Sequence, residues 1–338
     1  MNSQSPIVLR SPREILRKPP ANLDRRDDAL FCEAYSYSTF ESRLSLFLNS
    51  KVSAQSVVYS RFVPQLGSLY RAGDVRYYRF RHLVKMFLTA HKVVLSRDRT
   101  HLLVTDQESV GHFHWFTEVL PRLWLVKDRA SDLVLMLPDS SYVRETGLAS
   151  LKALGLEFKE ICWMESRDFY HVPRLFHVSK VCETGQMDDE LMLELNRAFT
   201  RKNYESGRKL YVSRANAEFR KILNEGELEE RVKAYGYEVV QPEGWPLEKQ
   251  ISVFSECVSL IGIHGAGLTN CLFMPPGGTV VELRKREPNY GYWHLAESVG
   301  HEYYYYHGVP DSDLSLIGRG CNLTIPVDDF EEKILKII

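Results

Sequence analysis

The stretch VSLIGIHGAGLTNCLFMPPGGTVVEL, Val258 to Leu283, decides how this chain is read. Val258–Ile263 is an apolar run of strand length, and Thr279–Leu283 is a second one. Between them lie the loop His264-Gly265-Ala266-Gly267-Leu268-Thr269-Asn270 and a helical stretch that Pro275-Pro276 cuts to about two turns. Glycines carry no Cβ, so Gly265 and Gly267 let backbone approach a ligand closely. A helix opening near Gly267 presents unpaired N–H groups and the positive end of its dipole, a natural seat for a phosphate. An anion site in an α/β domain follows as the first expectation.

The dinucleotide fingerprint is the obvious rival, and it fails. It needs a third glycine, a full crossover helix and an acid about 20 residues on. Here Asn270 stands where the third glycine belongs, the helix is too short, and Glu282 arrives too early.

Composition narrows the class. With 338 residues the chain can build two α/β domains. It is 44% apolar and 26% charged with a net charge of −1, an ordinary globular balance that offers nucleic acid no global field. No apolar run approaches the length of a membrane span, and the polar, basic N-terminus lacks the apolar core of a signal peptide. The six cysteines are scattered without a CxxC pair; several sit in apolar runs and read as small hydrophobes, and a reducing compartment is expected, not a zinc site or disulfide framework.

Residues 1–30, with Pro12, Pro19 and Pro20, read as a frayed N-terminal arm. Strand and helix patterns alternate from Val57 to about Val178, and a helix is expected over Met187–Lys202. The second half is more regular. Strands are expected at Leu210–Ser213, Tyr237–Val240, Val258–Ile263, Thr279–Leu283 and Tyr303–Tyr306, with helices between them. Such alternation implies a parallel sheet covered on both faces. The expected division is 31–203 for a first Rossmann-like domain and 204–320 for a second, with 321–338 a closing helix that returns to the first.

Ligands of parallel sheets sit beyond the carboxyl ends of the strands. Ser213-Arg214 follows one such strand, with Arg220 and Lys221 close behind. Guanidinium groups bind phosphate bidentately and as permanent cations; a solvated basic face would show the same spacing. In the first half, Gly111-His112-Phe113-His114-Trp115-Phe116-Thr117-Glu118 leads into Leu120-Pro121-Arg122. On a helix His114, Glu118 and Arg122 share one face, fit for a base and a phosphate contact, or for a plain surface ion pair between Glu118 and Arg122. Asp311-Ser312-Asp313, the one Asp-x-Asp pair, reads as a surface turn. Half of the run Tyr303–Tyr306 is expected in the core.

Together these segments resemble glycosyltransferase family 61. The His264–Asn270 loop with Phe273-Met274-Pro275-Pro276-Gly277 and Val280-Val281-Glu282-Leu283 is similar to its signature. His114-Trp115, Glu118 and Leu120-Pro121-Arg122 resemble a second motif, and Tyr211-Val212-Ser213-Arg214 with Arg220 and Ile222-Leu223-Asn224-Glu225 a third. The resemblance implies an α/β, GT-B-like architecture, two Rossmann-like domains facing each other across a cleft, and an inverting transfer from a nucleotide-sugar, UDP by family expectation, to a glycan or glycoprotein acceptor. Absence of a leader or anchor in the sequence is expected of a bacterial-type or viral cytoplasmic enzyme, working at the inner face of a membrane, or of a trimmed chain.

Inverting transfer needs a base for the acceptor hydroxyl and positive charge where the diphosphate departs. Glu118 is the expected base with His114 its alternate. Donor contacts are expected from Arg122, Ser213, Arg214, Arg220, His264, Gly265, Ala266, Gly267, Leu268, Asn270 and Glu282. Arginines and a helix dipole can replace a metal ion, so no cofactor and no essential metal are expected. The rivals are a nucleotide-sugar epimerase or hydrolase of the same architecture, and a non-catalytic nucleotide-sugar-binding module.

Overall fold

The computed structural model of the chain describes residues 5–200, 207–317 and 320–338. It divides into two compact units: Ser38–Thr184 with the chain up to Arg13, and Glu14–Tyr37 with Gly185–Ile338.

The first unit is built on a nine-stranded mixed sheet. Its principal strands are β1 (Ser42–Ser53), β2 (Thr100–Leu103), β3 (Leu133–Pro138), β4 (Glu160–Met164) and β5 (Asp168–Val178), in the spatial order β4-β3-β2-β5-β1. The pairs from β4 to β5 are parallel, and β5 pairs antiparallel with β1. Buried Leu103, Met136, Val172 and Leu175 form part of its core.

The second unit holds a five-stranded, wholly parallel sheet. Its strands are β6 (Arg208–Val212), β7 (Tyr237–Val240), β8 (Cys257–Ile263), β9 (Thr279–Arg284) and β10 (Glu302–His307), in the order β7-β6-β8-β9-β10. All five expected strands are present within about two residues of their expected ends. Helices Glu225–Ala234, Leu247–Phe254 and Gly291–Ser298 alternate with them. Near-continuous burial of β8 and β9 agrees with a sheet covered on both faces. That double cover also explains the tyrosine run: Tyr303, Tyr305 and Tyr306 are all buried, more than the alternation of a one-faced sheet would bury.

Three expectations differ from what the chain does. Residues 14–37 are not frayed but belong to the second unit. Ala21 N–H donates to Tyr303 O, and Asn22 makes reciprocal bonds with Tyr305, so this segment covers the open edge of β10. Arg17 anchors it, buried against Asp189 at 2.6 Å. The closing helix does not return to the first half. Phe330, Ile334 and Leu335 pack with Tyr211, Leu228 and Val232 in the second unit's core, because that is where a parallel sheet needs its second apolar cover. The helix expected over Met187–Lys202 runs Asp189–Phe199, capped by Asp188, and also lies in the second unit. Its expected last residue and the 203/204 domain boundary lie outside the described residues.

Among the described residues no helix is long and apolar enough to cross a membrane, and the cysteines form no disulfide.

Candidate active site

The second unit's strand order reverses at β6 and β8, so its topological switch point lies between their carboxyl ends, where doubly wound folds bind ligands. Ser213-Arg214 follows β6 and His264-Gly265 follows β8, so the two loops singled out in the sequence meet at that point. In register, Val212 pairs with Gly262. Gly267 sits so close to β6 that a Cβ on it would be 2.7 Å from Cγ1 of Val212; only glycine lets the loop pack there.

Two guanidinium groups converge over Gly265. A Cβ on that residue would lie 3.4 Å from Nη1 of Arg214 and 3.5 Å from Nη1 of Arg220. Each arginine is fixed by backbone oxygens. Arg214 donates to the carbonyls of Phe219 and Arg220, and Arg220 donates weakly to those of His264 and Leu316. Arg220 adopts a left-handed backbone (φ 56°), which turns its side chain back toward the loop. Glu225 accepts from Tyr211 Oη and from Arg214 N–H, pinning the turn after β6. Arg214 has Glu243 at 3.6 Å, half-exposed. Burial and the neighbouring Arg214 together push the Arg220 guanidinium below its ordinary pKa, and its buried Nε has no hydrogen-bond partner among the described residues. Two like charges held together in a partly dry loop favour an anion beside them.

Around this pair the expected contacts divide. The turn Ala266–Phe273 is a 3-10 helix, not an α-helix, and Leu268 N–H is spent on Gly265 O at 3.0 Å. Leu268 itself is fully buried against Gly262, so neither its amide nor its side chain is free for a ligand. Ala266 is exposed. Asn270 donates to Gly267 O while its buried Oδ1 is left without a partner among the described residues. Ser213 is buried and its Oγ accepts from Ala215 N–H. Glu282 lies inside β9, 1% exposed, with His264 Nδ1 at 2.5 Å and Tyr303 Oη donating at 2.5 Å. Burial raises its pKa, but His264, Arg284 and these hydrogen bonds outweigh that and hold the carboxyl below its ordinary value. Glu282 therefore orients His264 from behind and is not a surface contact. Asn289 completes the setting, its Nδ2 3.4 Å from His264 Nε2.

The motif of the first unit lies beyond the carboxyl ends of β2 and β5. The helix over 112–124 is interrupted by a wide π turn, Trp115–Val119, just ahead of Pro121. Proline has no N–H to give and its ring crowds the carbonyl four residues back, so the helix loosens there. Trp115 is fully buried, donating to Ser150 Oγ at 2.9 Å, and fixes the turn in place. His114 Nδ1 and Glu118 Oε1 are 2.8 Å apart. Glu118 Oε2 is buried, 3.8 Å from Lys180 Nζ, and accepts no hydrogen bond from the described residues. Lys180 donates to Tyr70 O, and the Tyr70 ring stands edge-on to His114.

Arg122 points into the interior of the first unit and not to an open surface. It is 1% exposed, bonded through Nη2 to Asp106 Oδ2 at 3.0 Å and through Nε to Glu118 O at 2.9 Å. The open turn rotates it inward, where buried Asp106 balances its charge; it is not the surface partner of the Glu118 carboxylate either. Asp106, Lys180 and Asn289 carry no motif spacing of their own. The one available signal was position, since Asp106 and Lys180 each follow the end of a strand.

Among the described residues no group of three or more His, Cys, Asp or Glu is arranged to hold a metal ion. Asp311 is engaged instead by Asn322 across a short hairpin.

A parallel sheet with alternating helices and two guanidinium groups at its switch point places the second unit among Rossmann-like α/β folds. The family model described as Glycosyltransferase 61 matches residues 112–281, half of the chain, from the His114 helix to β9. The chain belongs to the glycosyltransferase 61 family.

Among curated relatives, it is 36% identical over 96 residues to the EGF domain-specific O-linked N-acetylglucosamine transferase of Drosophila melanogaster, covering 28% of this chain and 18% of that protein. Alpha-1,3-arabinosyltransferase XAT2 of Oryza sativa subsp. japonica is 36% identical over 80 residues, 22% of this chain and 13% of its own. The Canis lupus familiaris EGF domain-specific O-linked N-acetylglucosamine transferase matches over 240 residues at 24% identity, 69% of this chain and 42% of its own length. The chain thus spans less than half the length of these relatives. They come from animals and rice and lend no support to the expected bacterial type.

Proposed function

We propose that the protein is an inverting glycosyltransferase of GT-B type that moves a sugar from a nucleotide-diphosphate donor, a UDP-sugar by family expectation, to a hydroxyl of a glycan or glycoprotein. The convergence of Arg214 and Arg220 on Gly265 carries this reading. It supplies fixed positive charge where a diphosphate leaving group gains negative charge, so no metal ion is required. In the displacement the acceptor oxygen bonds to the anomeric carbon as the bond to the diphosphate oxygen breaks. The hydroxyl proton passes to the His114–Glu118 pair, in which a carboxylate and an imidazole are already coupled.

The names of the relatives, an N-acetylglucosamine transferase and an arabinosyltransferase, support sugar transfer but differ in the sugar. Retention of Arg214, Arg220 and Glu118 speaks against a non-catalytic module. Calorimetric titration with UDP, GDP and CMP, each with and without EDTA, tests the donor site. One nucleotide should bind equally well in both conditions. Failure of all three to bind would remove the donor assignment, and binding restored only by Mn²⁺ would remove the metal-free one.

A further inference from the structure

The first unit carries a surface that the transfer chemistry does not use. Val58–Ser60 and Val63–Pro64 form a tight hairpin in which Ser60 pairs with Val63. Its two central residues, Arg61 and Phe62, both have positive φ (49° and 65°), the primed turn that two-residue hairpins adopt, here without glycine or asparagine. Phe62 stands at the tip, 61% exposed, followed by Val63 and Leu66, also exposed. Behind the tip lies an open cavity of about 940 Å³ lined by Phe62, Val63, Leu66, Val75, Val84 and Phe87, with Arg79 the one charged side chain on its wall.

Helix Phe80–Thr89 forms one side. It buries Leu83 and Met86 beneath, and turns Arg81, Lys85 and Leu88 outward at i, i+4 and i+7, with Leu88 80% exposed. Charge along this segment is predominantly positive. Residues 61–92 contain seven lysines and arginines against one acid, Asp74, in a chain whose net charge is −1. All seven cations are exposed.

We propose that this face docks on the surface of an anionic phospholipid bilayer, with Phe62 and Leu88 entering the interfacial region and the exposed arginines and lysines of this segment, Arg79, Arg81 and Lys85 among them, meeting the headgroups. Protruding apolar side chains beside a predominantly basic, exposed segment fit a headgroup layer above acyl chains. Long cationic side chains suit the interface because their stems lie along apolar material while their heads stay in water.

Flotation of the full chain with vesicles tests this. Vesicles of phosphatidylglycerol and phosphatidylcholine should carry the protein up the gradient, and pure phosphatidylcholine should not. Phe62→Ser with Leu88→Ser should weaken binding by roughly tenfold or more. Arg81→Glu with Lys85→Glu should abolish it, as should raising salt from about 0.1 M to about 1 M. Both double variants change exposed positions, so their thermal transitions should match the parent and show that the fold is intact. No flotation with anionic vesicles overturns the proposal, as does flotation that neither variant changes. Concentration-dependent dimerisation that Phe62→Ser abolishes, without vesicle binding, would make the face a contact between two copies and equally overturn it.

Discussion

Nη1 of Arg214 reaches to 3.4 Å from the point where a side chain on Gly265 would begin. Arg220, six residues further along the same loop, approaches the same point with its Nη1 at 3.5 Å. The glycine is not needed for its backbone angle, because its φ of 160° lies at the edge of extended space open to other residues. It is needed for the emptiness above it. That emptiness is bounded by two cations whose guanidinium hydrogen bonds go to backbone oxygens, with Glu243 the carboxylate paired to the Arg214 guanidinium at 3.6 Å.

Gly265→Ala should therefore leave the fold intact, since its methyl would make ordinary contacts, and should lower nucleotide-diphosphate affinity by filling the cradle. Arg220→Ala should lower affinity further, by tenfold or more, if the charge-assisted bonds it offers are worth about 1.5–3 kcal/mol. Calorimetry reports the affinity and a thermal melt reports the fold. Unchanged affinity in both variants would show that the cradle is structural.

Arg122 was expected at the donor; in the structure it is buried in an ion pair with Asp106 inside the first unit. Arg122→Ala should strand Asp106 in the interior and cost about 3–5 kcal/mol of stability, although Lys180, 3.8 Å from Asp106, tempers the loss. Replacing the pair together, Arg122→Met with Asp106→Leu, should restore most of it. Nucleotide affinity of that folded double variant should match the parent. A fall in affinity without loss of stability would return Arg122 to the donor site.

The contrast between Arg122 and Arg214 marks how far sequence carried. Strand runs such as Leu260–Ile263 and Val280–Leu283 were legible because a doubly covered parallel strand has no polar face to obscure it. The arginine loop after β6 and the glycine loop after β8 were legible because strand ends in such sheets converge. Arg122 was not, because its direction depends on a π turn that shifts the helical phase by part of a turn, which an i+4 rule cannot register. Residues 14–37 were misread for a different reason: their proline-rich composition resembles a loose arm, while their backbone is fixed by Tyr303 and Tyr305, far along the chain. Glu282 looked like a ligand contact because its strand neighbours a ligand loop, yet β9 is buried on both faces.

Glu118→Gln should keep donor affinity and lower turnover by roughly 10²–10⁴-fold, the usual share of a general base. Lys180→Met should act more weakly, because Lys180 reaches Glu118 as an ion pair at 3.8 Å and not by a hydrogen bond. Single-turnover rates at saturating donor separate these effects from binding. Near-parent turnover in Glu118→Gln would move the base to His114 alone or to another residue.

Acid sensitivity has a source in the second unit. His301 Nδ1 accepts from Gly278 N–H at 3.2 Å, which fixes its proton on Nε2, and that nitrogen donates to Cys271 O at 2.9 Å. A second proton would destroy the acceptor, and burial pushes the folded pKa down to about 4. The unfolded ring titrates near 6.5, so above that pH neither state is charged and the contribution to stability is complete. As pH falls from about 6.5 toward about 4, the unfolded chain takes a proton that the folded one refuses, and stability drains by about 1.4 kcal/mol per pH unit for this ring. His112, also lowered to about 4 by burial, adds in the same direction. His301→Gln can keep both hydrogen bonds through its amide without titrating. Urea denaturation between pH of about 7 and about 5 should then show a slope smaller by close to one proton than the parent's. An identical slope would mean that His301 charges without cost and that the grip on Cys271 and Gly278 is not what acid breaks.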